Sequence, residues 1–392
     1  MTIFRAIGVL VLAVTGWAAG GAAQVPASGS LAAVIAPSLS SWSFSEAVPS
    51  DSFQVRGVSH VSIPLSLTLR LNRVTVDVGG AHTSGRVELE DGRSLTLAGL
   101  TDIRVRGVAE IVQDRLLLTA GLNLPTGASR LAGDQVSALG ILGGSSLGFS
   151  SLALGNGFGV TAGLVYAFGF GPWGIAIGSS WEARNQYTPL DLHIAGVRTP
   201  ADFDPGDAIR ASIGLDRLIG RGRMSVLLAG DFYGENQLTL EPSGLAAQVS
   251  QYTPGPQYTG AVFLDLGVSG FRSFRVTLSD RYRSAFTGVD GTEAEGSSGN
   301  VMEGVLEVVR GGPRGAGLYL RADARLDSGL EVDNTIATAA MSAAGVSIGL
   351  SLVRGTLTVL PFVRAQVGRL DVGTSSTTAT GYGAGITLLA RP

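Results

Sequence analysis

The stretch LYLRADARLD, residues 318–327, alternates strictly between apolar and mostly charged side chains. Leucine and alanine fill the even positions, whereas the odd positions carry one tyrosine, two arginines and two aspartates. Successive side chains of a β-strand point to opposite faces of the sheet, so one face of this strand is apolar and the other is charged. In a membrane β-barrel the outward face contacts lipid and the inward face lines a polar lumen, which is the alternation seen here.

The same alternation returns in both halves of the chain, in residues 54–71, 101–111, 223–233, 274–283 and 302–308. A charged side chain facing lipid at mid-depth costs about 2–4 kcal/mol. A face kept almost free of charge over so many segments indicates that this constraint applies throughout. The pattern predicts an all-β protein, a transmembrane antiparallel up-and-down β-barrel formed by residues 53–392.

The strand count follows less directly from the pattern. Fifteen segments between residues 53 and 391 have strand character. Because single-chain bacterial barrels have an even number of strands, we expect about 14, with 16 as the other correction. Short connections such as Arg354-Gly355 predict periplasmic turns, and long ones such as residues 125–150 predict mobile loops on the outer side.

The first 52 residues divide into two parts. Arg5, an apolar run from Ala6 to Trp17 and the small residues Gly21-Ala22-Ala23 predict a signal peptide, residues 1–23, and hence export to the cell outer membrane. Residues 24–52 are rich in Ser, Ala and Pro without clean alternation. We expect a non-strand segment that either plugs or lines the lumen, or is a disordered leader.

Composition excludes several functional classes. The 392 residues are 45% hydrophobic and include 57 glycines, yet no run of about 18 apolar residues follows the N-terminal region, so helical membrane spans are not supported. The net charge of −3 and the scattered basic residues, all of them arginine, argue against a nucleic-acid partner. The absence of cysteine excludes thiolate catalysis and cysteine metal sites, and no cofactor or metal is indicated.

The candidate site is the charged inward face. Two interpretations stay open: the charges pair with one another to fill the lumen, or they contact and select the permeant. Because both signs are interleaved, no strong preference for cations or anions follows. The candidate lumen-lining, permeant-binding residues are Arg104, Arg106, Glu110, Arg210, Arg275, Arg281, Arg283, Glu303, Glu307, Arg321, Asp323 and Arg325.

The segment DRLLLTAGLNLPTG, residues 114–127, resembles a strand and turn of FadL-like outer-membrane barrels, including those associated with aromatic-hydrocarbon (phenol meta-pathway) degradation. Tyr187-Thr188-Pro189 and Pro205-Gly206-Asp207 resemble a loop and strand start of the same group. The resemblance implies a 14-stranded barrel whose N-terminal hatch admits hydrophobic compounds. Two departures are that the chain ends in Arg391-Pro392 rather than an aromatic residue, and that residues 24–52 match no hatch motif.

A hydrolase is the alternative from another class. His82-Thr83-Ser84 places an imidazole and a hydroxyl on one strand face, the lipid side, and resembles the His-x-Ser of outer-membrane phospholipases and lipid A deacylases. A second pair, His60 and Ser62, falls on the lumen side. No Asn or Gln follows at a position that would orient the His82 ring, so we expect a protein that is not an enzyme.

Together these observations predict passive uptake of small hydrophobic or aromatic compounds through the barrel. The expected partners are outer-membrane lipid, the small-molecule permeant and, during biogenesis, the barrel-assembly machinery. A structural barrel without transport is the remaining alternative.

Overall fold

The computed structural model describes residues 30–50, 53–149, 152–268, 271–311, 315–330 and 335–391. The predicted signal peptide lies outside these residues. Within them the chain is mostly β-structure, 72% strand, arranged in two sheets, and no helix is long and apolar enough to span a membrane.

The strands are numbered in chain order. They are β1 (Leu31–Ile35), β2 (Ser38–Ser50), β3 (Phe53–Leu71), β4 (Val74–Leu89), β5 (Ser94–Leu100), β6 (Ile103–Val112), β7 (Leu116–Leu124), β8 (Gly159–Phe170), β9 (Trp173–Arg184), β10 (Tyr187–Ile194), β11 (Val197–Asp204), β12 (Ala208–Ile219), β13 (Gly222–Tyr233), β14 (Asn236–Leu240), β15 (Gln248–Thr253), β16 (Gln257–Asp265), β17 (Phe271–Arg283), β18 (Thr287–Gly288), β19 (Gly299–Arg310), β20 (Gly315–Asp327), β21 (Ala340–Arg354), β22 (Leu357–Val372) and β23 (Ser375–Ala390). One α-helix, α1 (Asp134–Leu142), and one 3-10 turn (Ser145–Leu147) lie between β7 and β8.

The larger sheet closes on itself as an antiparallel barrel of 16 strands. β1 and β2 are two segments of one barrel strand, because both pair with β3 on one side and with β23 on the other. β5 and β6 likewise share one position beside β4. The ends of the described chain, at β1 and β23, meet at the rim that carries the short turns.

The number of strands is 16, the other value that the pattern left open, rather than about 14. The expected non-strand character of residues 24–52 is wrong where the structure describes them. Most of residues 31–50 forms a strand of the barrel wall rather than a plug. Two features hid it from the sequence pattern: β1 and β2 are separate segments, and the β2–β3 register shifts between Ser43 and Val48. The shift breaks the alternation by which the other strands were recognised.

The two faces of the barrel differ as the alternation predicts. Along β20, Leu318, Leu320 and Leu326 are exposed on the outside, whereas Tyr319 and Asp327 are buried inside. Near the long-loop rim the outer face carries exposed aromatic side chains from β9, β13, β16 and β17, namely Trp181, Phe232, Tyr258 and Tyr282. At the other rim Tyr166 stacks on Phe168, and Phe170 is the cross-strand partner of Trp173. Such aromatic residues favour the level of lipid headgroups at the two edges of an apolar band.

The smaller sheet has five strands, β10, β11, β14, β15 and β18, paired in that order. They belong to the connections β9–β12, β13–β16 and β17–β19, all at the rim opposite the short turns. The long connections are therefore organised as a sheet that continues the barrel wall on one side.

Candidate functional site

The inward face of β16 to β20 carries side chains of alternating charge at the same level. Asp265, Arg275, Glu307 and Arg321 are direct cross-strand partners in succession. Arg275 lies 3.3 Å from the Glu307 carboxylate and 3.5 Å from that of Asp265. Glu307 is buried and also accepts a hydrogen bond of 3.3 Å from the Tyr319 hydroxyl. A continuous row of opposite charges is therefore formed across four strands. We call the inward face of β16 to β20 that carries these charges the charged wall.

A second row lies nearer the long-loop rim and is centred on Arg325. Its guanidinium pairs with Glu303 and lies 3.4 Å from Asp327. The same guanidinium donates a hydrogen bond of 2.5 Å to the carbonyl of Ser145, which lies in the connection between β7 and β8. Arg325 thus ties the charged wall to a loop inside the barrel.

Asp323 joins the charged wall to β22. Its carboxylate lies 3.4 Å from Arg321 and 2.5 Å from Arg364. Arg364 was missed as a site residue, although it alternates with Val363 and Ala365 in the way that marked the other inward charges. The alternation therefore held enough information to find it.

On the adjoining wall, Arg210 of β12 lies 3.5 Å from Asp231 of β13. Closer to the short turns the buried Asp216 accepts hydrogen bonds from Arg223 at 2.5 Å and from Ser225 at 2.7 Å. Asp216 was also missed. It shares the inward register with Arg210 and Ser212, so the same alternation would have found it.

The other predicted site residues take different positions. Glu110 lies at the short-turn rim, where its carboxylate accepts the backbone N–H of Asp114 at 2.6 Å, so it stabilises a turn. Arg281 and Arg283 lie on the exposed outer end of β17 and form no salt bridge within the part of the chain that the structure describes. Arg104 and Arg106 lie on β6, away from the ion-paired rows.

The connection between β7 and β8, described over residues 125–149 and 152–158, folds into the lumen, although the sequence pattern placed it outside as a mobile loop. We call it the inward loop. Ala138, Ile141 and Leu142 of α1 and Leu147 are buried in an apolar cluster with Trp42 and Val58 from the barrel wall. The apolar residues of the loop explain this placement, because they remove more hydrocarbon from water inside the barrel than they would outside it.

Close contacts hold the inward loop against the wall formed by β2 to β5. The Trp42 indole donates a hydrogen bond of 3.2 Å to the Leu147 carbonyl, and the His60 ring stacks on Phe149 with centroids 4.9 Å apart. Leu142 fills the space above Gly85, where any side chain on that glycine would overlap it. The inward loop and this wall therefore form one buried apolar cluster on one side of the barrel interior.

Asp102, between β5 and β6, fastens both ends of the inward loop. Its buried carboxylate accepts the backbone N–H of Gly127 at 2.8 Å and that of Asn156 at 2.6 Å. It also accepts a hydrogen bond of 2.7 Å from the Asn123 amide, which donates in turn to the Gly157 carbonyl. The Asp102 carboxylate thus holds the two ends of the inward loop, near Gly127 and Asn156, together. We call these two ends the root of the inward loop.

Beside this root, a cavity of about 330 Å³ opens on the inward face of β6 to β9, under the start of the β10–β11 hairpin. Its charged lining comes from three arginines and one glutamate, Arg104, Arg106, Arg184 and Glu182. Tyr187 and Phe203 also line the cavity, and their rings meet edge to face with centroids 5.9 Å apart.

His82 and Ser84 lie on the outer face of β4, as predicted, and between them Thr83 points inward and is buried. The direct cross-strand neighbours of His82 are Ile63 and Leu100, and those of Ser84 are Val61 and Ala98. Hydrocarbon neighbours cannot orient an imidazole for proton transfer, which requires a hydrogen-bonding third group. His60 and Ser62 are both buried on the lumen side.

No protein-family model matches the chain. No curated protein matches it either. Among solved structures, the chain is similar to the CymD monoaromatic hydrocarbon channel, with 11% identity, a TM-score of 0.41, and 93% of this chain and 88% of that chain covered. It is also similar to the Ralstonia pickettii toluene transporter TbuX, with 10% identity, a TM-score of 0.39, and 93% and 90% of the two chains covered. The P. putida toluene transporter TodX gives 9% identity, a TM-score of 0.38, and 92% and 89% coverage. Similarity at this level does not assign a function, which has to come from the residues themselves.

Proposed function

We propose that this chain is an outer-membrane channel through which small compounds with a hydrophobic or aromatic part cross passively. The observation that carries the proposal is that the barrel interior is only partly filled: the inward loop packs on one wall, ion-paired charges line another, and a cavity of about 330 Å³ remains on a third. A barrel closed only for structural reasons would need no such open space inside it. The membrane location is supported by the apolar outer face and by its aromatic residues at both rims.

The class of permeant is inferred from the aromatic residues of that cavity. Tyr187 and Phe203 line it, and their rings meet edge to face. Aromatic side chains offer faces and edges on which apolar groups of a permeant can stack. The sequence resemblance of residues 114–127 to FadL-like barrels supports the same class.

Bilayer recordings and vesicle uptake test the channel. Purified protein that shifts in gel mobility on boiling should give discrete conductance steps, and vesicles that contain it should take up toluene faster than protein-free vesicles. A folded barrel that shows neither conductance nor faster uptake would be a structural barrel, and the proposal would fail. Recovery of the protein as a soluble periplasmic species would refute both the barrel and the channel.

A hydrolase is disfavoured by the apolar neighbours of His82 and Ser84. Calcium-dependent release of fatty acid from phospholipid, abolished by Ser84→Ala, would reverse that judgement. Thr83→Ala serves as the matched control, because Thr83 lies between the two residues but faces the lumen.

A further inference from the structure

We propose that the cavity beside the root of the inward loop binds a small organic carboxylate that carries an aromatic ring. The proposal rests on the channel function above and deepens it by naming a class of permeant. The cavity lies on the wall of β6 to β9, apart from the ion-paired rows of β16 to β20 and from the apolar cluster around α1.

The charge of the lining is the first argument. Arg104, Arg106 and Arg184 line the cavity together with one carboxylate, Glu182. Two further carboxylates lie beside the lining: Asp77 is the cross-strand partner of Arg106, and Asp102 accepts hydrogen bonds from Asn123 and Asn156. The positive charge available to an anion is therefore that of Arg104, which forms no salt bridge with any described residue, whereas Arg275 and Arg364 elsewhere in the lumen lie against carboxylates.

The second argument is the set of hydrogen bonds and salt bridges that each arginine forms. The Arg184 guanidinium donates two hydrogen bonds to the Gly206 carbonyl, at 3.1 and 2.5 Å, which fixes its position. Arg104 forms no hydrogen bond or salt bridge with any residue that the structure describes, although it is half-buried. A guanidinium fork matches the two oxygens of a carboxylate, so a bound carboxylate would supply the partner that Arg104 lacks here.

The shape of the cavity is the third argument. Gly121 and Gly159 are part of its lining, and a Cβ on Gly159 would come within 3.3 Å of the Ala183 carbonyl oxygen, a tight contact. Tyr187 and Phe203 close the outer end with their edge-to-face rings. A volume of about 330 Å³ is at the lower end of ligand sites, which run from about 300 to 1,000 Å³. These dimensions suit a single-ring compound.

The arginines and the aromatic pair of Tyr187 and Phe203 together determine the class of ligand. A neutral hydrocarbon would leave the arginines without a new partner, and a simple inorganic anion would leave the aromatic pair without an apolar contact. An aromatic carboxylate satisfies both, because its carboxylate meets Arg104 while its ring packs against Tyr187 and Phe203.

Calorimetric titration of the full-length protein in detergent tests the site, with benzoate as the probe. Benzyl alcohol and acetate serve as comparison ligands that lack the charge and the ring, respectively. We expect both to bind more weakly than benzoate. Arg104→Gln should weaken benzoate binding about tenfold or more, since hydrogen bonds to charged groups are the stronger class. Arg369→Gln removes the same charge from an exposed outward position on β22 and should leave benzoate binding unchanged.

The outcomes separate this site from the channel itself. Equal benzoate binding by the Arg104→Gln variant and the unchanged protein would overturn the site, provided that the variant still shifts in gel mobility on boiling. Benzyl alcohol binding as tightly as benzoate would overturn the anionic part of the proposal, and acetate binding as tightly would overturn the aromatic part. Conductance without benzoate binding refutes the site alone, whereas benzoate binding without conductance refutes the channel and leaves the site standing.

Discussion

The Asp102 carboxylate accepts the backbone N–H of Asn156 at 2.6 Å, which fixes the returning end of the inward loop to the barrel wall. The same carboxylate holds the outgoing end through Gly127, so one side chain fixes both ends of some 30 residues of chain. The apolar cluster and Arg325 hold the middle of the loop, whereas its two ends depend on a side chain that can be altered singly.

Asp102→Asn is expected to loosen the inward loop. Asparagine keeps the shape but replaces one acceptor oxygen by a donor NH₂ group, which would face backbone N–H groups that also donate. Hydrogen bonds to a charged group contribute about 1.5–3 kcal/mol each, so the loop root should be weakened by a few kcal/mol. We expect higher single-channel conductance and faster protease cleavage within residues 125–158. Asp114→Asn, the same change in the turn between β6 and β7, should alter neither, and unchanged cleavage in both variants would show that Asp102 does not hold the loop.

Gly85→Ala is expected to disturb the packing of α1 against the barrel wall. The added methyl group would overlap the Leu142 side chain, which is almost fully buried, so the helix must move. Overpacking of this kind typically costs about 1–3 kcal/mol. The gel-mobility transition on heating should occur at a lower temperature. Gly107→Ala is the matched control, because the nearest atom to its new Cβ would be the Ala120 carbonyl at 4.0 Å; an equal loss in both variants would contradict the role of the Leu142 contact.

Glu307→Gln is expected to shift ion selectivity toward anions. It removes the negative charge that lies between Arg275 and Arg321 and leaves both arginines in the wall. The reversal potential in a salt gradient measures the shift. Glu241→Gln removes the same charge from an exposed loop position and should give the reversal potential of the unchanged protein. If the two variants are indistinguishable, the ions do not pass along the charged wall.

Leu320→Arg is expected to impair membrane insertion. Leu320 lies on the outer face of β20, between the outward Val308 and Ile348 on the neighbouring strands. An arginine facing lipid at mid-depth costs about 2–4 kcal/mol. Leu245→Arg introduces the same residue in an external loop where the leucine is 70% exposed, and it should insert normally. The fraction of each variant that folds into vesicles distinguishes them.

The pH dependence of the β10–β11 hairpin should follow Asp191. Two hydrogen bonds from Arg198, at 3.0 and 2.6 Å, lower the pKa of the Asp191 carboxyl below its ordinary value of 3.8. A lowered pKa means that the contribution to hairpin stability is complete above 3.8 and is lost as the pH falls through the lowered value. Hydrogen exchange of the hairpin amides should accelerate only in that acid range. Asp191→Asn should remove this step; if the step persists in the variant, another group is responsible.

The sequence predicted the barrel class and the facing of its strands because each strand carries its own alternation. In β20 the inward Arg321, Asp323 and Arg325 could be assigned without knowing any neighbouring strand. Their ion-pair partners could not, because those depend on cross-strand register. Arg275 meets Glu307 through the pairing of β17 with β19, and Asp323 meets Arg364 across β21.

Two parts of the molecule could not be predicted from a local sequence pattern. Residues 38–50 are serine-rich and contain the shift between Ser43 and Val48, so their alternation is interrupted, and only pairing with β3 and β23 makes them a strand. The inward loop contains Ile141 and Leu142, which are ordinary residues for a buried turn of helix. Its location inside the lumen depends on contacts with residues outside the loop, among them Trp42, Gly85 and Asp102, and no spacing within the loop predicts it.

The seam of the barrel joins β23 to β1 and β2, so Ala390 pairs with Ala33 from the other end of the described chain. Contacts of such long sequence separation form late, because most of the chain must be ordered before they contribute. Until then the sheet has two open edges, each with a row of unpaired backbone groups that another chain could match. Closure of the barrel therefore competes with pairing of an open edge to another chain. Which of the two occurs depends on protein concentration as well as on sequence.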